Sequence, residues 1–436
     1  MFELLLSLRK EQTIIYCRSP RRVRYLSRTF CNYLKDKVPQ INTSDDLALI
    51  DWIKKNVKIE NVEGQWSLID CLEYGIGIHD GALQKHLTSS IIRYFNDYPE
   101  KLNYLFCTTT IIEGVNTSAK NVVYFDDVKG DDIPIDFFDY SNIKGRSGRM
   151  MVHYVGRIFN FNKPPENELI KVDIPFFEQE KISDEILINI DDSDIKHKDT
   201  EQYYNIQSIP EVERQIFREN GVSVMGQKAI LQQLRKDLFD KYWIIHWTGY
   251  PHKQQLRYVL SLGWDWLLKE TETIRPMSID KLVRVTFDYG ISQNISELVS
   301  SNYSYFKENK NTLPEQTIID DAVRDAFWIL RHWFHYKVPK WLSVVNSLQK
   351  YVCAENDVES GDYSFYSKQI ENEFVRDNLS ILVEYGIPKS AIEKLEDKIP
   401  ESISEDEVIQ HVKDNNLLEK AGLTKYEKEV FSDNLM

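Results

Sequence analysis

No stretch of 18 apolar residues occurs in this chain, so no membrane-spanning helix is expected. The opening MFELLLSLRKEQ has only a few apolar residues before its charges, too few for a secretory signal, and a cytoplasmic location is expected. Cysteine is sparse: Cys17, Cys31, Cys71, Cys107 and Cys353 are scattered, with no CxxC pair. That pattern argues against a zinc site and for reduced, buried thiols. A phosphate-cradling GxxxxGK[ST] loop is also missing. In the nearest candidate, Gly221 to Lys228, the lysine is displaced by one and Ala229 stands where Ser or Thr is needed. The DEIL run at Asp184–Leu187 has no preceding β-rich run, so it does not read as the acidic, metal-binding strand end of an ATPase.

What is present is enough for folded domains. The 436 residues are 42% hydrophobic and 12% aromatic, which predicts two or three domains rather than disorder. Net charge is −14, and its distribution is uneven. Residues 1–165 hold 22 basic and 20 acidic residues, while the remainder holds 32 and 48. The first third is therefore near neutral with a local basic cluster, and the acidity sits downstream.

The first third alternates strand and helix. Short apolar runs at 13–17, 75–79, 104–107, 121–125 and 154–159 read as strands. Val23, Leu26, Phe30 and Leu34 form a helical stripe, Asp45 and Asp46 are placed to cap a helix, and 87–98 is a further helix. This alternation predicts an α/β fold with a parallel sheet flanked by helices, whose ligands bind at the carboxyl ends of the strands. Residues 166–208 include an acidic stretch, with 12 acidic and 4 basic residues over 166–201. That stretch reads as a linker or excursion. From 209 to 436 helical spacing dominates, near 211–240, 252–270, 315–336 and 338–353, and again at 389–397 after Gly386-Ile-Pro. The aromatic-rich run containing Trp328, Trp333, Phe334, Tyr336 and Trp341, with His332 and His335, fits helix-core packing first and base stacking second.

Three segments carry chemistry. Thr13 to Ser19 is a strand ending in a polar loop; Thr108 to Tyr124 contains TIIEGVN; Asn142 to Arg149 contains GRSGR. Arg146 and Arg149 bring two guanidinium groups close together, and an anion between them relieves the repulsion. Glycines let the backbone turn tightly there. The bland alternatives are a surface salt bridge for the arginines and turn chemistry for Thr110, Gly114 and Asn116. Arg18, Arg21, Arg22, Arg24 and Arg28 form either a phosphate-tracking face or a solvated helix surface.

These segments resemble the second RecA-like domain of superfamily-two DExH helicases, closest to the exosome-associated and archaeal repair branch. Thr13–Ser19 resembles motif IV, Ile78-His-Asp-Gly-Ala82 the following His-x-Gly segment, Thr110–Asn116 motif V and Asn142–Arg149 motif VI. The resemblance covers roughly residues 10–160, with the motifs in the right order. It implies a RecA-like domain over 1–165, followed by helical domains over 209–436 that include a winged helix and a helical bundle. It further implies that Arg146 and Arg149 reach the γ-phosphate of ATP, Arg149 as the finger. Asn116, Asn142 and Gly145 would line the nucleotide, and Arg18, Ser19, His79, Thr110 and Gly114 would meet single-stranded DNA or RNA. ATP and Mg would be shared with a separate first RecA-like domain, from another chain or an upstream segment, because motif IV begins almost at Met1. Asn142 stands where the family has Gln, and Glu113 where small or apolar residues are common. A non-enzymatic scaffold that binds nucleic acid or protein is the alternative reading.

Overall fold

A computed structural model describes all residues except 110–116, 118, 131, 149–154, 167–181, 196–197, 270–271, 273–275, 311 and 436. The described strands are β1 (Thr13–Tyr16), β2 (Ile76–His79), β3 (Tyr104–Cys107), β4 (Asn121–Tyr124), β5 (Val128–Lys129), β6 (Ile133–Pro134) and β7 (Arg157–Asn160). Five of them form one parallel sheet in the order β2-β3-β1-β4-β7, and β5 and β6 make a small hairpin. Every residue of β1 to β4 is buried, as both-face helix cover requires, while β7 is a more open edge. Helices flank this sheet and the chain is mainly helical after it, the α/β architecture expected from the alternating pattern.

The Pro20–Lys35 helix leaves β1 abruptly. Ser19 is its N-cap, with the Oγ accepting from Arg22 N at 3.3 Å, and Pro20 sits at the first helical position. Its buried stripe contains Val23, Leu26, Phe30 and Leu34. The helix expected after Asp45 and Asp46 begins at Ala48, and neither aspartate caps it. The Asp46 carboxylate accepts from Thr43 N and Thr43 Oγ1 instead, each at 2.8 Å, closing the preceding turn.

The chain divides into two compact units, and neither is contiguous. The first comprises 1–170, 294–331 and 375–436. Two later helices return to the sheet-bearing segment. Asp320, on the Glu315–Trp328 helix, accepts from Arg28 at 2.9 Å and from the backbone N of Ser67 at 3.0 Å. Tyr426, on the Lys425–Leu435 helix, is fully buried beside His86 and Ser90, and Glu429 accepts from Arg93 at 2.8 Å. Helical spacing over 315–336 revealed a buried face on the first of these helices without revealing what covers it; the Lys425–Leu435 helix was not among the expected segments.

The second unit comprises 171–293 and 332–374. Among the described residues of this unit the regular elements are helices. Part of the acidic excursion is structural: Leu187, Ile188, Ile206 and Ile209 are buried, and Arg218 donates to the Ile188 carbonyl at 2.7 Å. Trp333, Phe334 and Trp341 are core residues; Trp264 stacks on Trp333 with centroids 5.7 Å apart. The Gly221–Lys228 run is a helix junction. Gly221 ends one helix with φ +60, and Ser223 caps the next.

Candidate nucleotide and strand-binding site

In the sheet, β1 leads toward β2 on one side and β4 leads toward β7 on the other. The crevice where such folds take ligands therefore lies between the ends of β1 and β4. Arg18 and Ser19 occupy the β1 side. Arg18 N donates to Asp126 Oδ2 at 2.9 Å, its guanidinium meets Asp132 at 3.2 Å, and its carbonyl accepts from Gly130 N at 2.9 Å. Arg22 pairs with Asp126 at 3.7 Å and lies 5.2 Å from the Phe125 ring centroid. The crevice is thus lined by paired charges rather than by bare cations.

The end of β2 repeats the theme in a drier setting. His79 and Asp80 are 4% and 2% exposed. Asp80 pairs with Arg24 at 3.2 Å and accepts from Ala82 N at 2.8 Å, folding the turn of the His-x-Gly segment. Burial pulls the Arg24 guanidinium down to about 10, with Asp80 opposing that pull. Burial also lowers the His79 imidazole below its ordinary value, again against Asp80. Arg28 is held by Asp320 and by Thr317 Oγ1 at 3.1 Å. Of the basic cluster, Arg24 and Arg28 are therefore structural cations facing inward. The aspartates that hold them, Asp80 and Asp320, and Asp126 beside Arg22, were missed in the sequence. For Asp80 and Asp126 the available signal was an aspartate just past the end of a strand.

Between these two ends runs the loop after β3. Cys17 N donates to the Cys107 carbonyl at 2.8 Å, and Thr108 N donates to the His79 carbonyl at 3.3 Å. Thr110, Gly114 and Asn116 in this loop lie outside the described residues, as does Arg149. The loop is described again near its end, where Thr117 Oγ1 donates to Asn96 Oδ1 at 2.7 Å. There the GRSGR turn joins it. Ala119 N donates to the Arg146 carbonyl at 2.9 Å, Gly148 N donates to the Ala119 carbonyl at 3.0 Å, and Arg146 Nη1 lies 3.5 Å from the Thr117 carbonyl. Burial pushes the Cys107 thiol up, and Arg146 pulls it the other way.

The two glycines of that turn differ. Gly148 has φ +70, which favours glycine, whereas Gly145 closes the Phe137–Lys144 helix at φ −62, a conformation open to any residue. The tight-turn role expected of both belongs to Gly148. Asn142 is half-buried on the same helix, one turn before Gly145. The structure thus brings His79 to Thr108, at the start of the loop after β3, and Arg146 to Thr117 and Ala119, at its end; Arg18 and Ser19 sit at the end of β1, and Asn142 and Gly145 at the end of the Phe137–Lys144 helix.

No protein-family model matches the chain. It is 27% identical over 414 residues to Anti-bacteriophage protein B of Escherichia coli (strain K12), over 93% of this chain and 54% of that protein. The chain spans about half the length of the curated relative it matches.

Among the described residues no helix is long and apolar enough to cross a membrane. Among the same residues no group of three or more His, Cys, Asp or Glu side chains is placed to hold a metal ion.

Proposed function

We propose that this chain is the second RecA-like half of an ATP-dependent, superfamily-two nucleic-acid motor. One observation carries the reading. The loop after β3 is fastened to the β2 end at Thr108 and to the GRSGR turn at Ala119, so strand-binding and nucleotide-sensing motifs share one backbone segment.

In this reading Arg146 and Arg149 reach the γ-phosphate of an ATP bound mainly by a first RecA-like domain, where guanidinium groups stabilise the transferring phosphoryl. ATP, when bound, supplies the hydrolysis that opens and closes the cleft between the lobes. In this reading the carboxylates that hold Mg belong to the first domain. Asn142, Gly145 and Asn116 line the nucleotide. Thr110, Gly114, Ser19 and Arg18 meet a single DNA or RNA strand at the carboxyl ends of β1 and β3. Because Arg24 and Arg28 are committed to buried carboxylates, strand contact rests on the 108–116 loop rather than on the whole arginine cluster. The relative is named an anti-bacteriophage protein; the same defensive setting, in the cytoplasm, is proposed for this chain.

Strand binding measured against salt tests the reading. The chain is expected to bind single strands at low salt, with log Kd rising linearly with log salt over a few phosphates. Failure to bind either DNA or RNA strands at low salt contradicts it.

A further inference from the structure

Arg18 is the cation that the end of β1 offers to a strand, yet its guanidinium already holds an anion. Arg18 Nη1 donates to Asp132 Oδ1 at 3.2 Å. Neither the guanidinium nor this carboxylate bonds another side chain among the described residues. An arginine fork takes a carboxylate and a phosphate oxygen pair with the same donors. Asp132 therefore occupies Arg18 in the way a strand phosphate would.

Two carboxylates meet this corner of the crevice, and their exposure separates their roles. The Asp126 side chain is 13% exposed; it accepts from Arg18 N at 2.9 Å and faces Arg22 at 3.7 Å. It ties down the backbone at the entry to the Pro20–Lys35 helix. The Asp132 side chain is 80% exposed and that of Arg18 45%. An ion pair so open to water contributes little to stability, and breaking it strands no buried charge. Asp126 is thus the fixed carboxylate and Asp132 the displaceable one.

The backbone delivers Asp132 to this place. Gly130 N donates to the Arg18 carbonyl at 2.9 Å, and the Tyr16 hydroxyl donates to the Val128 carbonyl at 3.1 Å. Strands β5 and β6 pair Val128 with Pro134 and Lys129 with Ile133, so Asp132 is carried beside the end of β1. Asp132 has φ +125, in the region that disfavours a side chain. Backbone held there recurs at ligand clamps and switch regions.

On the strand contact proposed above for Arg18 rests a further step: we infer that Asp132 is an autoinhibitory carboxylate, which holds the Arg18 guanidinium until a strand phosphate displaces it. The exchange replaces one acceptor by another at Arg18. The Asp126 contacts and the main-chain bonds to Arg18 stay in place, so only two exposed side chains need to turn. Because the contact is to phosphate, the inhibition is indifferent to base sequence.

Equilibrium binding of fluorescent oligo-dT and oligo-rU to the full chain at low salt, run as a double-variant cycle, tests this. Asp132→Asn is expected to tighten binding roughly threefold, as the loss of one exposed ion pair allows, and to gain clearly less beside Arg18→Gln. Asp132→Gly removes the carboxylate and relieves the backbone together, and is expected to show the same gain with no loss of thermal midpoint. Equal gains with and without the arginine mark a general charge effect and overturn the inference, as does an Asp132→Asn chain that binds no tighter. Absence of strand binding in every chain contradicts the strand contact itself and overturns both.

Discussion

Arg24 and Asp80 form an ion pair almost wholly removed from water, with side chains 7% and 2% exposed. Removing one partner of such a pair strands a buried charge. Asp80→Ala is expected to destabilise the first unit by about 3–5 kcal/mol in urea unfolding, and a smaller loss than about 1 kcal/mol contradicts the assignment of Arg24 as a structural cation. His79, next in line, carries a pH signature. Its folded-state value lies below the ordinary 6.5 because of burial. The unfolded chain therefore takes up a proton first as pH falls, so stability is full above about 6.5 and declines below it. Unfolding free energy measured between pH 7 and pH 5 is expected to drop, and His79→Gln is expected to flatten that drop. An unaltered slope in the variant sinks the argument. None of this pairing was legible in the sequence. Arg24 and Asp80 are 56 residues apart, and Arg28 and Asp320 are 292 apart. An arginine-rich helix face looks the same on paper whether carboxylates or phosphates answer it.

At the scale of elements the strands were readable because each is a four-residue apolar run buried on both faces, which only a parallel sheet under helices accommodates. The amphipathic helix after β1 was readable from its stripe, whereas its Ser19 cap emerged with the structure. The π-helical stretch Ile329–Lys337 was not readable, because its residues keep an ordinary helical pattern and the altered hydrogen bonding depends on what packs around it. Close helix contacts were equally hidden. Gly263, in the Lys253–Trp266 helix, is faced by the Trp341 indole, and an added Cβ there comes within 2.5 Å of ring carbons. Neither a helix axis nor a buried indole gives way easily. Gly263→Ala is therefore expected to cost about 1–3 kcal/mol, despite alanine's better helix propensity. A stabilised variant in thermal unfolding contradicts that packing. Gly148 belongs to the same class of argument: at φ +70 an added Cβ costs roughly 1–2 kcal/mol.

For the whole molecule, the division into units differs most from a reading along the chain. A contiguous domain over 1–165 is what strand–helix alternation suggests, yet that segment gains Asp320, Tyr426 and Glu429 from helices hundreds of residues later. A fragment of residues 1–165 is therefore expected to lack a cooperative thermal transition, because Arg28 and Arg93 lose their carboxylates and His86 loses its buried tyrosine. A sharp transition in the fragment contradicts the composite unit. At this scale the structure brings His79 to the start and Arg146 to the end of the loop after β3. Asp126 and Asp80, which tie the neighbouring charges down, emerged only with the fold.

The motor reading meets its sharpest test in ATP hydrolysis by the chain alone, by a cognate first RecA-like domain alone, and by the two together with a single strand present. The expected result is no turnover from this chain alone and strand-stimulated turnover from the pair. Arg149→Ala is expected to cut the pair's kcat roughly 10³-fold. Ordinary helicase-rate hydrolysis by the chain alone, or a pair indifferent to Arg149→Ala, contradicts the account.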